Sequence, residues 1–506
     1  MRKILVANRG EIAIRVMRAC RDLGIRSVAV FSDCDRAALH VRFADEAYYL
    51  GPSPPAESYL CIDRLVELAR RAEADAVHPG YGFLAENPAF AETCRQAGLT
   101  FVGPSTDAIA RMGSKTAARE IAQSAGVPVV PGTDGPVSPQ LSDAEVACLA
   151  NEVGYPLLVK AIAGGGGKGM RLVRTADELP GAIRLARSEA GSAFGDTAVY
   201  FERQLERARH VEIQLLGDGQ GTIVPFVERE CSVQRRHQKV IEESPSLAVT
   251  RALRARMAEA AVAVARAVAY TNAGTIEFLL DRDGQFYFLE MNTRLQVEHP
   301  ITEAVTGIDL VAWQILIAQG HRVTLKTAQT LRPNGHAIEC RIYAEDPDVG
   351  FLPSPGQIVA LSPPGGPGIR DDSGVQSGSE VPVFYDSLLS KLVVWGEDRP
   401  QAVQRMLGAL GEYDVRGIKT TIPFFRWMLR TPEFQRGIFD TTTLDAILAG
   451  RRGDSFEEIS AEGEETAVVA AALQSFLDAS AVLPEGGRSS MAVSNWKSTG
   501  RREGSR

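Results

Sequence analysis

The segment 277–300 constrains the fold of this chain more than any other stretch. Alternating apolar residues run into the dipeptide Asp283-Gly284 and out of it again, a pattern typical of a β-hairpin closed by a two-residue turn. Folding at that turn predicts a register in which Glu277 lies opposite Glu290. Because like charges that face each other across a hairpin are destabilising, either a divalent cation binds both carboxylates or both are solvated on an edge hairpin.

Polar residues after the second glutamate favour the cation. Asn292 adds a third oxygen ligand, of the hard type that Mg²⁺ prefers. If the strand continues, Arg294, Gln296 and Glu298 alternate onto one face. A cation, an amide and a carboxylate side by side form a site for a small anion with a base next to it. The segment therefore predicts a metal–nucleotide site that also holds a small anion.

Length, charge and cysteine usage narrow the class of protein. A chain of 506 residues has room for about two to four domains. Its net charge of −8 argues against nucleic acid as the main partner. The seven cysteines are scattered and form no CxxC pair, which indicates a reducing cytosol without zinc or disulfides. We interpret Cys231 as a buried structural thiol, with a reactive thiol as the alternative.

Targeting and membrane signals are both missing from the sequence. The N-terminus enters a strand at once, so we expect no signal peptide. No apolar run approaches the roughly 18 to 20 residues that a membrane span needs. We therefore expect a soluble, cytoplasmic protein.

Residues 1 to about 112 alternate short β-branched runs with helical patterns, which predicts an open parallel sheet. Asn8-Arg9-Gly10-Glu11 lies at the first strand-to-helix turn, where helix N-termini attract anions, but it is not a GxGxxG motif. A second turn, 78–87, is rich in Pro and Gly and is either structural or functional. The expected elements are strands at Ile4–Ala7, Ser27–Phe31 and Ala76–His78 and helices at Glu11–Leu23 and Tyr59–Ala72.

A glycine-rich loop follows a boundary at Pro128–Pro136. A strand ends at Lys160, and five glycines and Lys168 follow between residues 164 and 169. Glycine lets backbone N–H groups close around phosphate oxygens, and lysine supplies charge. We favour a mobile phosphate lid over a plain linker. It is not a Walker A loop, because no GK[ST] follows.

The remaining chain predicts a mixed domain and a tail. Within 203–446 the cluster 234–239 is basic, either a solvated face, a nuclease-like patch or, as we favour, a site for a polyanion such as a triphosphate. Arg341 lies on a strand with alternating polar and apolar residues. It is either a functional arginine or one that only forms a structural ion pair. From about 452 the chain is acidic, then Ala-rich and helical (467–479), then basic, which is typical of an interaction tail or of disorder with one helix.

Several of these motifs together resemble biotin carboxylase of the ATP-grasp superfamily. The resemblance covers residues 2 to 446 and rests on Asn8–Ala13, His78–Gly82, Gly164–Gly169, Gln234–Lys239 and Glu290–Pro300. It implies an α/β fold of the ATP-grasp type. The implied parts are an N-terminal open parallel-sheet domain (1–112), an ATP-grasp domain (113–320) with a mobile lid (131–203), a C-terminal mixed domain (331–446) and an acidic helical tail (452–506).

The resemblance also implies a role for individual residues. The catalytic group is Glu298 as general base with Arg294, Arg341 and Lys239, of which Arg341 would stabilise a biotin enolate. Mg²⁺ or Mn²⁺ would bind to Glu277, Glu290 and Asn292. Bicarbonate would bind to Arg294, Gln296 and the Val297 N–H. MgATP would bind to Lys115, Lys160, Gly165, Gly166, Gly167, Glu202, Leu205, His210, Gln234 and His237.

The implied activity is ATP- and bicarbonate-dependent carboxylation of biotin through carboxyphosphate. The chain has no Met-Lys-Met biotinylation motif and no room for a carboxyltransferase. We therefore expect a homodimer that works with a separate biotin carboxyl carrier protein and carboxyltransferase subunit, with no nucleic-acid or membrane partner. The acceptor stays open among acetyl-CoA, as in fatty acid biosynthesis, propionyl-CoA, another acyl-CoA and pyruvate. The alternatives are a carboxylate–amine ligase of the ATP-grasp type and a non-catalytic nucleotide-bound scaffold.

Overall fold

The computed structural model describes residues 1–138, 140–162, 170–451, 453–456 and 461–481. It forms two compact units, Met1–Phe456 and Glu457–Arg506. All predicted domain bounds up to residue 446 fall inside the first unit, so the division at these bounds stays a prediction. The glycine motif 164–169 and the basic end of the tail lie outside the described residues.

A five-stranded sheet forms the N-terminal part, and every pair in it is parallel, in the order β3-β2-β1-β4-β5. The predicted open parallel sheet is thus confirmed. Its strands are β1 (Lys3–Val6), β2 (Arg26–Ser32), β3 (Glu46–Gly51), β4 (Ala76–His78) and β5 (Thr100–Phe101). The helices of this part are α1 (Gly10–Asp22), α2 (Leu39–Phe43), α3 (Ile62–Arg71), α4 (Pro88–Gln96) and α5 (Thr106–Gly113).

A smaller antiparallel sheet of order β7-β6-β8 occupies the region of the predicted lid. Its two flanking helices pack Ala150 and Ala186 onto the apolar face of the sheet. The elements are α6 (Lys115–Ser124), α7 (Asp143–Val153), β6 (Leu157–Ala161), β7 (Met170–Val173), α8 (Leu179–Phe194) and β8 (Val199–Arg203).

The largest sheet has nine antiparallel strands in the order β14-β13-β9-β11-β12-β15-β22-β20, with β10 paired to β9. Its first strands are β9 (Arg209–Gly217), β10 (Ile223–Pro225), β11 (Arg229–Arg235), β12 (Gln238–Ser244), β13 (Asn272–Leu280), β14 (Phe286–Asn292) and β15 (His336–Tyr343). The later strands, including short ladders, are β16 (Glu345–Asp346), β17 (Leu352–Pro353), β18 (Gly356–Gln357), β19 (Ala360–Ser362), β20 (Ile369–Ser373), β21 (Glu380–Val381), β22 (Leu388–Gly396) and β23 (Asp414–Arg416).

Helices cover this sheet and bury its apolar side chains, with Phe424 and Phe425 in the largest core. Among the described residues no single helix is long and apolar enough to cross a membrane, although the helices His299–Thr306 and Leu310–Ala318, bent by 99°, meet that test as a pair. The helices are α9 (Arg251–Ala267), α10 (His299–Thr306), α11 (Leu310–Ala318), α12 (Thr327–Thr330), α13 (Arg399–Glu412), α14 (Ile422–Met428), α15 (Pro432–Arg436), α16 (Thr443–Gly450) and, in the second unit, α17 (Ala461–Ala481).

The β13–β14 hairpin corrects the predicted turn. Asp281 N donates to Gln285 O at 2.8 Å and Gly284 has φ +75°, so the loop has three residues instead of two. A three-residue loop with a left-handed last residue is the next most common hairpin closure. It shifts the register by one residue, and a bulge between Glu277 and Phe278 shifts it back.

The bulge preserves the pairing that matters for the site. Phe278 pairs with Phe288, whereas Glu277 pairs with Glu290, which leaves Leu289 as the extra residue. The predicted pairing of the two glutamates is therefore confirmed. The condition for the alternation of Arg294, Gln296 and Glu298 is not met, because β14 ends at Asn292 and a turn leads into the helix that starts at His299.

Candidate active site

A cleft of about 590 Å³ lies between the small sheet and the large sheet. Strands β6 and β8 line one side, and β9 and β11–β14 with the turn after β14 line the other. The predicted site residues in its lining are Lys115, Lys160, Glu202, Leu205, His210, Gln234, His237, Lys239, Glu277, Glu290, Asn292, Arg294, Gln296, Val297, Glu298 and Arg341. The predicted phosphate ligands Gly165, Gly166 and Gly167 lie outside the described residues.

Lys239 is the centre of the polar network in this cleft. Its Nζ donates to Glu212 Oε2 at 2.6 Å, Glu277 Oε1 at 2.8 Å and Glu298 Oε1 at 2.6 Å. Burial alone would lower the pKa of Lys239, but the three carboxylates outweigh it and hold the pKa well above its usual value. The ammonium therefore stays charged and holds three acidic side chains at one point.

The same network keeps Glu298 ionised. Burial alone would raise the pKa of Glu298, but Lys239 and Arg341 outweigh it and hold the pKa far below its usual value. Arg341 Nη2 donates to Glu298 Oε2 at 3.0 Å and Arg341 Nε donates to Glu242 Oε1 at 2.6 Å. The ion pair that was the alternative role for Arg341 does form, and its partner is Glu298, the candidate base.

Glu277, Glu290 and Asn292 form the candidate metal site. Glu277 is buried, so two solvated carboxylates are excluded as the reason for this pair. Burial and the negative charge of Glu277 both raise the pKa of Glu290. A bound cation would oppose both effects, because it stabilises the ionised carboxylate. Asn292 Nδ2 donates to Glu277 Oε1 at 2.9 Å, which brings the amide beside the carboxylates. Two carboxylates and an amide supply the hard oxygen atoms that suit Mg²⁺ or Mn²⁺.

Gln296 and Arg294 border the same carboxylates although the strand has ended. Gln296 Nε2 donates to Glu277 Oε1 at 2.7 Å. Arg294 Nη2 donates to Asn292 Oδ1 at 2.8 Å and Arg294 Nε donates to Glu86 Oε2 at 2.7 Å. The turn therefore brings together the cation, amide and carboxylate that the alternation predicted, by a different backbone path.

Arg229 is a central residue that sequence reasoning missed. It is fully buried, pairs with Glu212 through Nε, and donates from Nη2 to Gln296 Oε1 at 2.6 Å and from Nη1 to Thr302 Oγ1 at 2.9 Å. These bonds fix Glu212 behind Lys239 and orient the Gln296 amide. A single arginine at the start of a strand carries no local signal for such a role.

The opposite end of the cleft is basic. Lys160 on β6 pairs with Glu202 on β8, and Arg119 Nη1 on α6 lies 3.3 Å from Glu202 Oε2. Burial lowers the pKa of Lys115, which begins α6, and Glu290 opposes that shift. Lys115 and Lys160 thus place two cations in the lining of this end of the cleft.

Hydrogen-bonding side chains connect the two ends. Gln234 Nε2 donates to His210 Nδ1 at 2.8 Å, which leaves the ring proton on Nε2, 2.9 Å from Glu277 Oε2. His237 lies in the two-residue turn between β11 and β12 and lines the cleft. Thr441, just before α16, also lines it and was not predicted, because nothing in its local sequence distinguishes it.

A second cavity of about 500 Å³ adjoins the first. Arg294, Val297 and Arg341 line both, and Tyr81 and Tyr385 line the second from the N-terminal part and from the loop before β22. The predicted Pro- and Gly-rich turn 78–87 thus contributes to a site wall. A molecule in the second cavity would reach Arg341 and the bicarbonate candidates without passing through the nucleotide end.

Cys231 lies next to the network but is fully buried. Burial, followed by the nearby carboxylates, raises the pKa of its thiol well above the usual value. A thiol in this state is a poor nucleophile, which supports the structural interpretation.

Known protein families and individual proteins match most of this chain. Three family models match: biotin carboxylase, N-terminal domain (1–109); carbamoyl-phosphate synthase L chain, ATP binding domain (114–326); and biotin carboxylase C-terminal domain (339–446). The chain is 52% identical to a biotin carboxylase of Nostoc sp., over 87% of this chain and 98% of that one. It is 54% identical to a pyruvate carboxylase subunit of Methanothermobacter thermautotrophicus, over 88% and 90%.

A solved structure gives the same result. The biotin carboxylase domain of Hydrogenobacter thermophilus 2-oxoglutarate carboxylase, a dimer in complex with MgADP and bicarbonate, superposes with a TM-score of 0.86 at 45% identity, over 91% of this chain and 99% of that one. Fold and site therefore define an ATP-grasp ligase. Within that class, the chain belongs to the biotin carboxylase family.

Proposed function

We propose that this chain carboxylates biotin on a separate carrier protein, with bicarbonate as the carbon source and MgATP as the energy source. The observation that carries the proposal is Glu298, a buried, ionised carboxylate between Lys239 and Arg341. It lines the nucleotide cleft, and Val297 and Arg341 beside it form the junction with the second cavity, because both of them line the cleft and that cavity. A base beside that junction can serve an anion that reacts first with a nucleotide and then with a second molecule.

ATP would lie along the cleft with its triphosphate toward Lys115 and Lys160. Glu202, Leu205, His210, Gln234 and His237 would line the nucleoside end, and Gly165, Gly166 and Gly167 would cover the phosphates. Glu277, Glu290 and Asn292 would hold Mg²⁺ or Mn²⁺, which binds phosphate oxygens and offsets their charge during phosphoryl transfer. The MgADP bound to the Hydrogenobacter relative supports this assignment.

Bicarbonate would bind to Arg294, Gln296 and the Val297 N–H. Glu298 takes the bicarbonate proton, and the freed oxygen attacks the γ-phosphorus of ATP as the bond to the ADP oxygen breaks. The products are carboxyphosphate and ADP, and the proton stays on Glu298. Lys239 stabilises the charge that develops, because a preformed cation in a buried site needs no reorganisation.

Biotin would enter from the second cavity. Carboxyphosphate breaks into CO₂ and phosphate, and phosphate or a base takes the N1 proton of biotin. The electron pair moves onto the ureido oxygen, where Arg341 stabilises the enolate, and N1 then attacks CO₂. The position of Arg341 on the wall shared by both cavities supports this role.

The final acceptor and the partners follow from what lies outside this chain. Relatives of similar identity include the pyruvate carboxylase subunit of Methanothermobacter and the α subunit of methylcrotonoyl-CoA carboxylase of Dictyostelium discoideum. Acetyl-CoA, propionyl-CoA, other acyl-CoA and pyruvate therefore all stay open, since a separate carboxyltransferase would choose among them. We propose a homodimer in the cytoplasm, which the dimeric Hydrogenobacter relative supports.

The tail would help to dock the carrier protein or the carboxyltransferase. Its helix, α17, exceeds the predicted 467–479, and Val468, Val469, Leu473 and Leu477 are each more than half exposed. A chain that ends after Phe456 should keep biotin-dependent ADP release but lose co-purification with these partners. Unchanged co-purification would contradict this part of the proposal.

The experiment that tests the activity measures ADP release from MgATP while bicarbonate and free biotin are added in turn. We expect a strict need for bicarbonate and stimulation by biotin. Loss of a general base costs about 10²- to 10⁴-fold, so Glu298→Gln should lower the rate by that factor. Glu339→Gln is the matched control, because Glu339 is equally buried and its raised pKa already favours the uncharged form.

Each other outcome points to an alternative. ADP release that ignores bicarbonate and biotin but responds to a carboxylate and an amine would indicate the ATP-grasp ligase reaction. Nucleotide binding without turnover in any mixture would indicate the scaffold. A Glu298→Gln protein with full activity would contradict the assigned base even if the enzyme proves to be a biotin carboxylase.

A further inference from the structure

The compact unit continues past the region that the family models match. That match ends at residue 446, whereas Arg451 and Gly453–Phe456, here called the C-terminal strap, pack back onto the unit. The Phe456 ring lies 5.2 Å from the Trp427 ring and 5.7 Å from the Phe424 ring, measured between centroids. The strap therefore has an apolar anchor of its own.

One carboxylate fixes the strap on its polar side. Asp348 Oδ1 accepts from Phe456 N at 2.8 Å, and Asp348 Oδ2 accepts from Ser455 Oγ at 2.7 Å. Arg451 lies over the Phe456 ring at 4.1 Å and donates to Ser455 O at 3.0 Å. Both oxygens of Asp348 are thus engaged by the strap.

The loop that carries Asp348 leads to the nucleotide cleft. Phe351, in the same loop, lies against the Phe456 ring at 6.2 Å, and its own ring lies 4.2 Å from the Arg235 guanidinium. Arg235 is the last residue of β11 and pairs with Gln238 across the turn. The strap therefore reaches the turn through this loop: Phe456 contacts Phe351, and Phe351 contacts the residue that precedes the turn.

The turn itself needs support. Arg236 and His237 have φ +51° and +66°, a left-handed conformation that is unfavourable for residues with a Cβ. Asp445 on α16 accepts from Arg236 N at 3.4 Å, which is a weak bond. Both turn residues line the nucleotide cleft, so their conformation sets the shape of its wall.

We infer that the C-terminal strap is a positioning element: it holds the β11–β12 turn in its left-handed form and so fixes His237 and Arg236 at the nucleotide cleft. The strap touches no substrate. The inference rests on the proposed function only in taking the cleft as the ATP site. Its role is to keep the competent form of the turn fully populated.

The test compares full-length protein with Asp348→Ala, which removes both strap hydrogen bonds and leaves the aromatic core intact. Val349→Ala is the matched control, because its side chain in the same loop is 56% exposed. Hydrogen exchange of the unliganded proteins is followed at residues 234–239, and the Kd of MgADP is measured by titration calorimetry.

We expect Asp348→Ala to speed exchange at 234–239 and to raise the Kd of MgADP by about three- to tenfold, since affinity falls with the fraction of competent protein. Exchange in the N-terminal sheet should not change. The protein that ends after Phe456 should match the full-length protein, and one that ends after Gly450, which also loses the aromatic contacts of Phe456, should change at least as much as Asp348→Ala. Exchange at the turn equal to that of the Val349→Ala control would overturn the inference, whether or not MgADP binds.

Discussion

Replacement of Lys239 with methionine tests whether one ammonium holds the site together. The variant keeps most of the side-chain volume and removes three charged hydrogen bonds of 2.6–2.8 Å. The carboxylates of Glu212, Glu277 and Glu298 would then share a buried space, each with at least one remaining partner. Glu212 keeps Arg229 and Glu298 keeps Arg341, whereas Glu277 keeps His210 and the amides of Asn292 and Gln296.

The expected loss of stability depends on which carboxylates keep a partner in the Lys239→Met protein. Removing one member of a buried ion pair costs about 3–5 kcal/mol. Because every carboxylate keeps one partner, we expect the lower end, about 3 kcal/mol at pH 8. The activity should be lost as well, since the developing charge loses its stabilising cation.

The cost should depend on pH in a predictable direction. In the native protein the folded pKa values of Glu277 and Glu298 lie below their unfolded values, so the stability that they contribute is present above the unfolded pKa and is lost as pH falls through the folded values. Without Lys239 their folded pKa values should rise, and the folded variant should bind protons more readily. We therefore expect the stability difference between the two proteins to shrink by about 1–2 kcal/mol between pH 8 and pH 5.5.

Urea denaturation of both proteins at pH 8, 7 and 5.5, followed by tryptophan fluorescence, measures these differences. Lys419→Met is the control, because Lys419 is exposed and its replacement should change the stability by less than about 0.5 kcal/mol. A Lys239→Met protein as stable as the native one at pH 8 would refute the argument. So would a destabilisation of equal size at all three pH values, since it would show a packing effect without a charge effect.

Two further predictions concern individual side chains. Arg294→Lys should raise the KM for bicarbonate by about tenfold and that for ATP much less, because lysine cannot reach Glu86 and Asn292 together; equal changes in both constants would contradict the assignment. In the native protein a thiol reagent should modify exposed Cys148 well before buried Cys231, whose pKa is raised, and mass spectrometry of partly labelled protein would reveal any early reaction at Cys231.

Local patterns predicted the N-terminal sheet well. The strand Ala76–His78 was predicted with its observed bounds, and the helix predicted at Glu11–Leu23 is observed at Gly10–Asp22. Short β-branched runs between amphipathic helices leave few alternatives to a parallel sheet. The sequence could not show whether β14 continues past Asn292, because the alternation from Arg294 onward looks the same whether the backbone is a strand or a turn that directs the same side chains inward.

The hairpin shows how a correct pairing can arise from a wrong turn. The loop has one residue more than predicted, and Leu289 is one residue more than a regular ladder holds. The two shifts cancel only between the bulge and the start of β13, where Glu277 meets Glu290. Sequence alternation could not reveal this, because each shift moves side chains by one position and their sum restores the pattern.

Long-range partners escaped prediction for a different reason. Glu212 and Arg229 lie on adjacent strands, yet their common role depends on Lys239 and Gln296 reaching the same point from elsewhere in the chain. No local sequence pattern identifies a residue such as Arg229, whose role is to orient other side chains of the site. The candidate ligands were predictable because their chemistry is local, whereas the groups that orient them were not.

The balance of charge in the cleft explains why the nucleotide needs its metal. In the structure Glu212, Glu242 and Glu298 each have a cationic partner already, and Lys239, Arg229 and Arg341 are all engaged. Among the described residues that line the cleft, the lysines left to face a triphosphate are Lys115 and Lys160, of which Lys160 already pairs with Glu202. A buried anion without compensation is strongly unfavourable, so the further positive charge must arrive with ATP. The facing glutamates of the hairpin are where a divalent cation would be held, which is why their pairing matters more than the turn that produces it.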